Sequence, residues 1–156
     1  MSAGGHEDAG ERVRELLEVV VEGLGLRAEV SVHEHGDAID AEVRGDDLGL
    51  LIGRHGQTID AVQHLAYKVA GHGTERRRVV VDAAGYRDRR REALERQADD
   101  AAQRAVDTQQ EVALDAMGAN DRKLVHEYLK SRGDVETGSE GTEPNRHLVV
   151  RPNRFM

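Results

Sequence analysis

Gly53-Arg54-His55-Gly56 sets two glycines three residues apart around two nitrogen-rich side chains. Glycine admits turns that a Cβ would block, and it lets a polyanion come close to the backbone. The loop is flanked by Leu51, Ile52 and Ile59, which reads as the junction of two short helices. Unbonded N–H groups at the start of the second helix would favour phosphate. The same four residues would equally serve a helix-turn-helix corner whose glycines are purely steric. Arg122 and His126 form a second candidate. At i and i+4 they project from one helix face. Arg brings a permanent charge and a two-pronged donor, and His a ring that donates in either charge state near neutral pH. Taken alone, such a pair also suits a solvated helix surface.

Other chemistries find less support. Asp134 and Glu136 could hold a metal for a nuclease, but they flank a polar turn where acids need no function. No nucleophile, base and orienting group assemble, so the chain reads as non-enzymatic, with no cofactor. His33 and His35 share one face of a strand and could bind zinc. With no cysteine and no third ligand near in sequence, they read as solvent-facing, and no metal is expected.

The 156 residues suffice for one ordinary domain or two small ones. A 38% hydrophobic content with 3% aromatics means a core of Val, Leu, Ile and Ala. Apolar runs stop at a few residues, far below the roughly 20 needed to cross a bilayer. The polar N-terminus has no signal-peptide pattern, so a soluble cytoplasmic protein is expected. The net charge of −8 is unevenly spread. Four Arg against thirteen acids give residues 1–50 a charge of −9, and eighteen bases against seventeen acids give the rest +1. An acidic total therefore does not decide what the larger part binds.

Residues 1–10, polar and glycine-rich, are expected to be disordered. Val13, Leu16, Leu17, Val20, Val21 and Leu24 then predict an amphipathic helix from Glu11, ended by Gly23 and Gly25. Alternation at Ala28, Val30, Val32 and at Ile39, Ala41, Val43 predicts a hairpin turned at Gly36-Asp37. A short helix over Leu48–Ile52 and a second from about Thr58, stopped by Gly71-His72-Gly73, bracket the glycine loop, and Val79–Val81 follows as a strand. After Gly85 come a helix over 86–109, a strand with Val112, Leu114 and Ala116, and a helix capped at Asn120-Asp121. Two strands, Val135–Thr137 and Arg146–Arg151, surround the polar turn Gly138–Gly141. The fold class is α+β in two small domains, α-β-β-α-α-β with a three-stranded sheet and then α-β-α-β-β, over residues 11–84 and 85–152, with a tail at 153–156.

The α-β-β-α-α-β order with a GxxG loop between its helices resembles the KH domain of type II. That resemblance implies that Gly53-Arg54-His55-Gly56, flanked by Ile52, Gln57 and Thr58, clamps the backbone of about four single-stranded nucleotides. The bases would lie beside the 39–44 strand, where Asp40 and Glu42 would oppose phosphate if they faced the groove. The run from Arg122 and His126 through Val135–Gly141 to Pro144–Val150 resembles the Arg-xxx-His (R-3-H) domain. This implies a second single-stranded nucleic-acid contact at Arg122, His126 and Arg146, with Arg151 and Arg154 as an outer basic rim.

The two in this order resemble the bacterial Jag family, also called SpoIIIJ-associated protein, EloR or KhpB. Many members carry an N-terminal Jag domain and a linker that this sequence does not show, so roles of that part are not expected here. The resemblance implies a regulator that binds single-stranded RNA, with single-stranded DNA as the alternative, in cell elongation, division or envelope assembly. It also implies a homodimer, or pairing with a small KH protein. A pure protein-interaction module is the alternative, served by the acidic face Glu11, Glu15, Glu18 and Glu22.

Overall fold

The computed structural model describes residues 4–71 and 77–154. The chain divides into two compact units, Met1–Arg87 and Asp88–Met156.

In the first unit, helix α1 (Gly4–Gly23) leads into strands β1 (Ala28–His35) and β2 (Ala38–Gly45). A single turn, α2 (Gly49–Ile52), meets α3 (Gln57–Ala70) across a 3-10 turn at Arg54–Gly56, and strand β3 (Arg78–Ala83) completes the sheet. The sheet order is β1-β2-β3, antiparallel at the hairpin (Val30 opposite Val43) and parallel between β2 and β3 (Ala41 opposite Val81). Central β2 buries Ile39, Ala41 and Val43 against Val13 and Leu17 of α1 and Ile59, Val62 and Ala66 of α3. Strand side chains alternate between faces, so Asp40 and Glu42 lie on the face turned away from the helices. They do not oppose a ligand at the α2–α3 loop.

The expected disorder of residues 1–10 is corrected for 4–10, which are helical; residues 1–3 lie outside the described residues. Ala9 stands four before Val13 and is buried with it, so the apolar stripe Ala9, Val13, Leu17, Val21 begins a turn earlier than the larger side chains suggest. Arginines fasten the layers. Arg12 Nε donates to the Val69 carbonyl at 2.7 Å near the C-terminus of α3, where carbonyls lack helical partners. Buried Arg77 donates to Glu34 at 2.8 Å and to the Gly36 carbonyl at 2.9 Å, tying the hairpin tip to the approach to β3. The arginine cluster before β3 is thus partly structural; Arg76, like His72 and Gly73, lies outside the described residues.

In the second unit, α4 (Tyr86–Thr108, its first two residues in the first unit) presents Leu94, Ala98, Ala101, Ala102 and Ala105 to a core shared with α5 (Ala119–Leu129), β5 (Val135–Glu140) and β6 (His147–Pro152). The short strand β4 (Val112–Ala113) pairs with β6, and the sheet order is β4-β6-β5, antiparallel throughout.

Four expectations change here. β4 stops at Ala113, although Leu114 still donates to the Leu148 carbonyl. The cap of α5 is Gly118 rather than Asn120-Asp121, because Asp121 is engaged by Arg90 at 3.0 Å. Gly138–Glu140 continue β5, since β6 pairs with them as far as His147 opposite Glu140, and the turn is left to residues 141–146. Arg146 therefore precedes β6 instead of lying on it.

Leu17 is fully buried, whereas Val19 on the same helix is 67% exposed. Leu17→Ala should cost the first unit ~2–5 kcal/mol and Val19→Ala less than about 0.5 kcal/mol, read from urea unfolding followed by circular dichroism.

Candidate functional site

The two glycines of the loop are sterically required. Gly53 has φ 74° and ψ −179°, a conformation essentially confined to glycine. A Cβ there would come within 2.2 Å of Thr58 Oγ1 and 2.9 Å of Thr58 N. Gly56 is left-handed at φ 79°, and a Cβ there would meet the Tyr86 ring at 2.7 Å. Thr58 and Tyr86 are thus the floor against which the loop closes. Gly56 also occupies the N-cap of α3, so it offers no side-chain acceptor to the helix N-terminus.

This closure pushes the tip outward. Arg54 and His55 are exposed, and neither side chain makes a hydrogen bond or ion pair among the described residues. His55 has φ 55°, so the turn directs consecutive side chains away from the helices. Gln57 is exposed, Thr58 and Ile52 are half-buried, and Leu50 is 65% exposed beside them. The structure therefore brings Ile52, Gly53, Arg54, His55, Gln57 and Thr58 to one surface with an apolar shelf at Leu50, whereas Gly56 is itself buried.

Two contributors escaped sequence reasoning. Tyr86 packs under Gly56, and Arg87 spans the adjacent elements through Nε to the Val81 carbonyl at 2.8 Å and Nη1 to Asp60 at 2.9 Å. Asp82 accepts the Arg87 N–H at 3.1 Å. Nothing local marks these residues, because the side-chain partners of Arg87 lie 6 and 27 positions away and Tyr86 meets the distant Gly56. Leu50 could not be recognised either, since a one-turn helix shows no periodicity.

In the second unit, His126 is half-buried, with Nδ1 hydrogen-bonded to Thr137 Oγ1. Arg122 is only 9% exposed and engages the Met117 carbonyl, Ser139 and Glu143. A groove of about 320 Å³ runs between α5 and β5, lined by Arg122, Lys123, His126, Thr137 and Ser139 among others. Arg146 lies outside this lining and donates to the Gly141 carbonyl at 2.9 Å. A larger hollow of about 690 Å³ includes Gln109, Glu136, Arg151 and Arg154. Its Arg151 is neutralised by Glu111 at 3.1 Å and by Glu140, which removes it from an open basic rim.

The alternative sites take structural roles. Arg132 grips Asp134 through two bonds at 2.9 and 2.8 Å, which holds that carboxyl below its ordinary range. His35 lies 3.7 Å from Asp40 and stacks on His33 at 6.5 Å between ring centroids. Among the described residues, no group of three or more His, Cys, Asp or Glu could hold a metal ion.

Comparison with known proteins matches both halves of this geometry. The family described as "KhpA/KhpB, KH domain" matches residues 11–82, and the R-3-H domain matches residues 92–152. A Clostridium symbiosum protein named RNA-binding protein KhpB is 33% identical over 95% of this chain and 68% of its own length. The chain belongs to the KhpB family. Bacillus subtilis KhpB is 30% identical over 88% of this chain and 68% of that protein. The KhpB of Lactiplantibacillus plantarum is 37% identical over 93% of this chain, but only 45% of that protein is covered. The KhpB matches thus contain the GxxG loop in one domain and the Arg122–His126 helix in the other. Among the described residues no helix is long and apolar enough to cross a membrane.

Gly53→Ala should cost about 1–3 kcal/mol from backbone strain alone, with the Thr58 overlap adding to it. Thermal unfolding of the full chain should show the first unit melting earlier.

Proposed function

We propose that this chain is a non-enzymatic regulator that binds single-stranded RNA, with the GxxG loop clamping the phosphate backbone. The observation that carries this reading is the loop tip. The side chains of Arg54 and His55 are exposed and without hydrogen-bond or ion-pair partners among the described residues, beside glycines where a Cβ would clash. Backbone approach and two donors at a helix N-terminus suit a phosphodiester chain. The shelf of Leu50 and Ile52 offers an apolar surface to bases without needing an aromatic platform. Kinship with proteins named RNA-binding protein KhpB supports the same ligand.

The domains act as residues 11–84 and 85–152, and the second adds a contact at the groove that Arg122 and His126 line. Two weak modules on one chain gain affinity through effective concentration. The protein works in the cytoplasm, in cell elongation, division or envelope assembly. Pairing with a second copy or a small KH protein accompanies this role. The observation favouring such pairing is Val19, 67% exposed on the helix that carries Glu11, Glu15, Glu18 and Glu22.

Fluorescence anisotropy with a labelled mixed-sequence RNA, at several salt concentrations, tests the clamp. Arg54→Asp combined with His55→Asp should weaken binding by about tenfold or more and flatten its salt dependence, with an unchanged circular dichroism spectrum. Unaltered affinity in that variant would remove the loop from the interface.

A further inference from the structure

The two signature residues of α5 have unlike surroundings. Arg122 has committed all three of its nitrogens. Nε donates to the Met117 carbonyl at 3.0 Å, Nη1 to Ser139 Oγ at 3.4 Å, and Nη2 to Glu143 Oε1 at 2.5 Å. Its side chain is 10% exposed, and its charge is matched by the Glu143 carboxylate. A buried guanidinium with three of its five N–H donors bonded and its charge paired has little left to offer a phosphate. Leaving it without partners would be costly, so its acceptors are part of the fold. What it does is join three separate pieces of chain: the approach to α5, strand β5, and the 141–146 loop.

Lys123, the next residue, has the opposite character. It is exposed, and its side chain makes no hydrogen bond or ion pair among the described residues. It lines the 320 Å³ groove together with His126, Thr137, Gly138 and Ser139. The acid one turn along, Glu127, is engaged by Lys130 at 3.1 Å, and that bond, with weaker Coulombic pulls from His126 and Lys123, holds its carboxyl below its ordinary range. Lys123 is therefore the uncommitted cation at this groove. Its neighbours suit a sugar-phosphate chain: two hydroxyl side chains, a glycine in β5, and an imidazole whose Nδ1 is held by Thr137.

We infer that Lys123 is the phosphate contact of the second unit, and that Arg122 is a positioning residue that shapes the groove without touching RNA. The inference rests on the RNA-binding reading above and assigns its second contact. Arg122 sets the position of Ser139 and the 141–146 loop, and with them one wall of the groove. Lys123 supplies the charge, and His126 the donor beside it.

The salt dependence of RNA affinity separates the two roles, because its slope counts phosphate contacts, about 0.7 per contact for a single strand. The full chain is titrated against the labelled RNA as Lys123→Gln and as the charge-balanced pair Arg122→Gln with Glu143→Gln. Lys123→Gln should lose about threefold to tenfold in affinity and about 0.7 in slope, with an unchanged melting temperature. The balanced pair should melt earlier and keep the wild-type slope. Lys123→Gln with unaltered affinity and slope would overturn the inference, as would a balanced pair that melts normally yet loses about 0.7 in slope. If the balanced pair does not fold, the positioning role is supported and exposed Lys123 decides the contact alone. Loss of affinity in the Arg54/His55 variant alongside a silent Lys123→Gln would fault this assignment only. A wild type that binds no RNA would take both readings with it.

Discussion

The closure of one loop onto its own floor governs the first unit. Gly53 and Gly56 sit so near Thr58 and Tyr86 that no side chain larger than hydrogen fits at either place. Because the backbone can close there, α2 ends and α3 begins within a few residues, and Leu51 and Ile59 both reach the core fully buried. That closure leaves Arg54 and His55 no neighbour to fold back upon, so the charge and the donors stand in solvent. Packing and exposure are here two consequences of the same contact. Any side chain that props the loop open would disturb both the core and the tip.

Arginine is the second organising element, and it does work that composition alone would assign to other residues. With no tryptophan and a single phenylalanine, the chain has few large rings to lock one layer on another. Long guanidinium side chains bridge the gaps by donating to carbonyls and acids far away in sequence. Arg12 reaches α3, Arg77 the hairpin tip, Arg87 Asp60 and the Val81 carbonyl, and Arg90 Asp121. Arg122 does the same in the second unit. Their apolar stems pack while the planar heads keep their partners. A census of basic residues therefore overstates the surface available to a polyanion.

The element order was largely legible, because strong alternation in β1 and β2 and helical spacing in α1, α3 and α4 report burial directly. The glycine loop was legible for a related reason: its chemistry is carried by contiguous residues. What escaped depends on partners distant in sequence. Ala9 is too small to announce a buried helical turn, yet it is 2% exposed. Gly138–Glu140 looked like a turn because their types favour one, whereas pairing with β6 decides their conformation. Asn120-Asp121 suited a cap by type, but Asp121 had a better use in Arg90. Arg122 and His126 were found by spacing. Spacing could not distinguish a buried, charge-paired guanidinium from an exposed one, and it passed over Lys123 between them.

The acidic balance of the first fifty residues takes a definite place in this arrangement. Asp40 and Glu42 occupy the sheet face away from the helices, and Arg44 neutralises Glu42 there by two bonds at 3.0 and 3.1 Å. Glu11, Glu15, Glu18 and Glu22 lie on α1, all four exposed on the helix that buries Val13, Leu17 and Val21. For a ligand that carries one negative charge per nucleotide, these surfaces repel, while the loop tip attracts. The summed field then does more than lower general affinity: it restricts productive encounter to the few places where cations stand free. On the RNA-binding reading, a net charge of −8 is thus compatible with function. Weak, locally positive contacts on an otherwise acidic body favour a strand that can thread the loop over one that merely adheres.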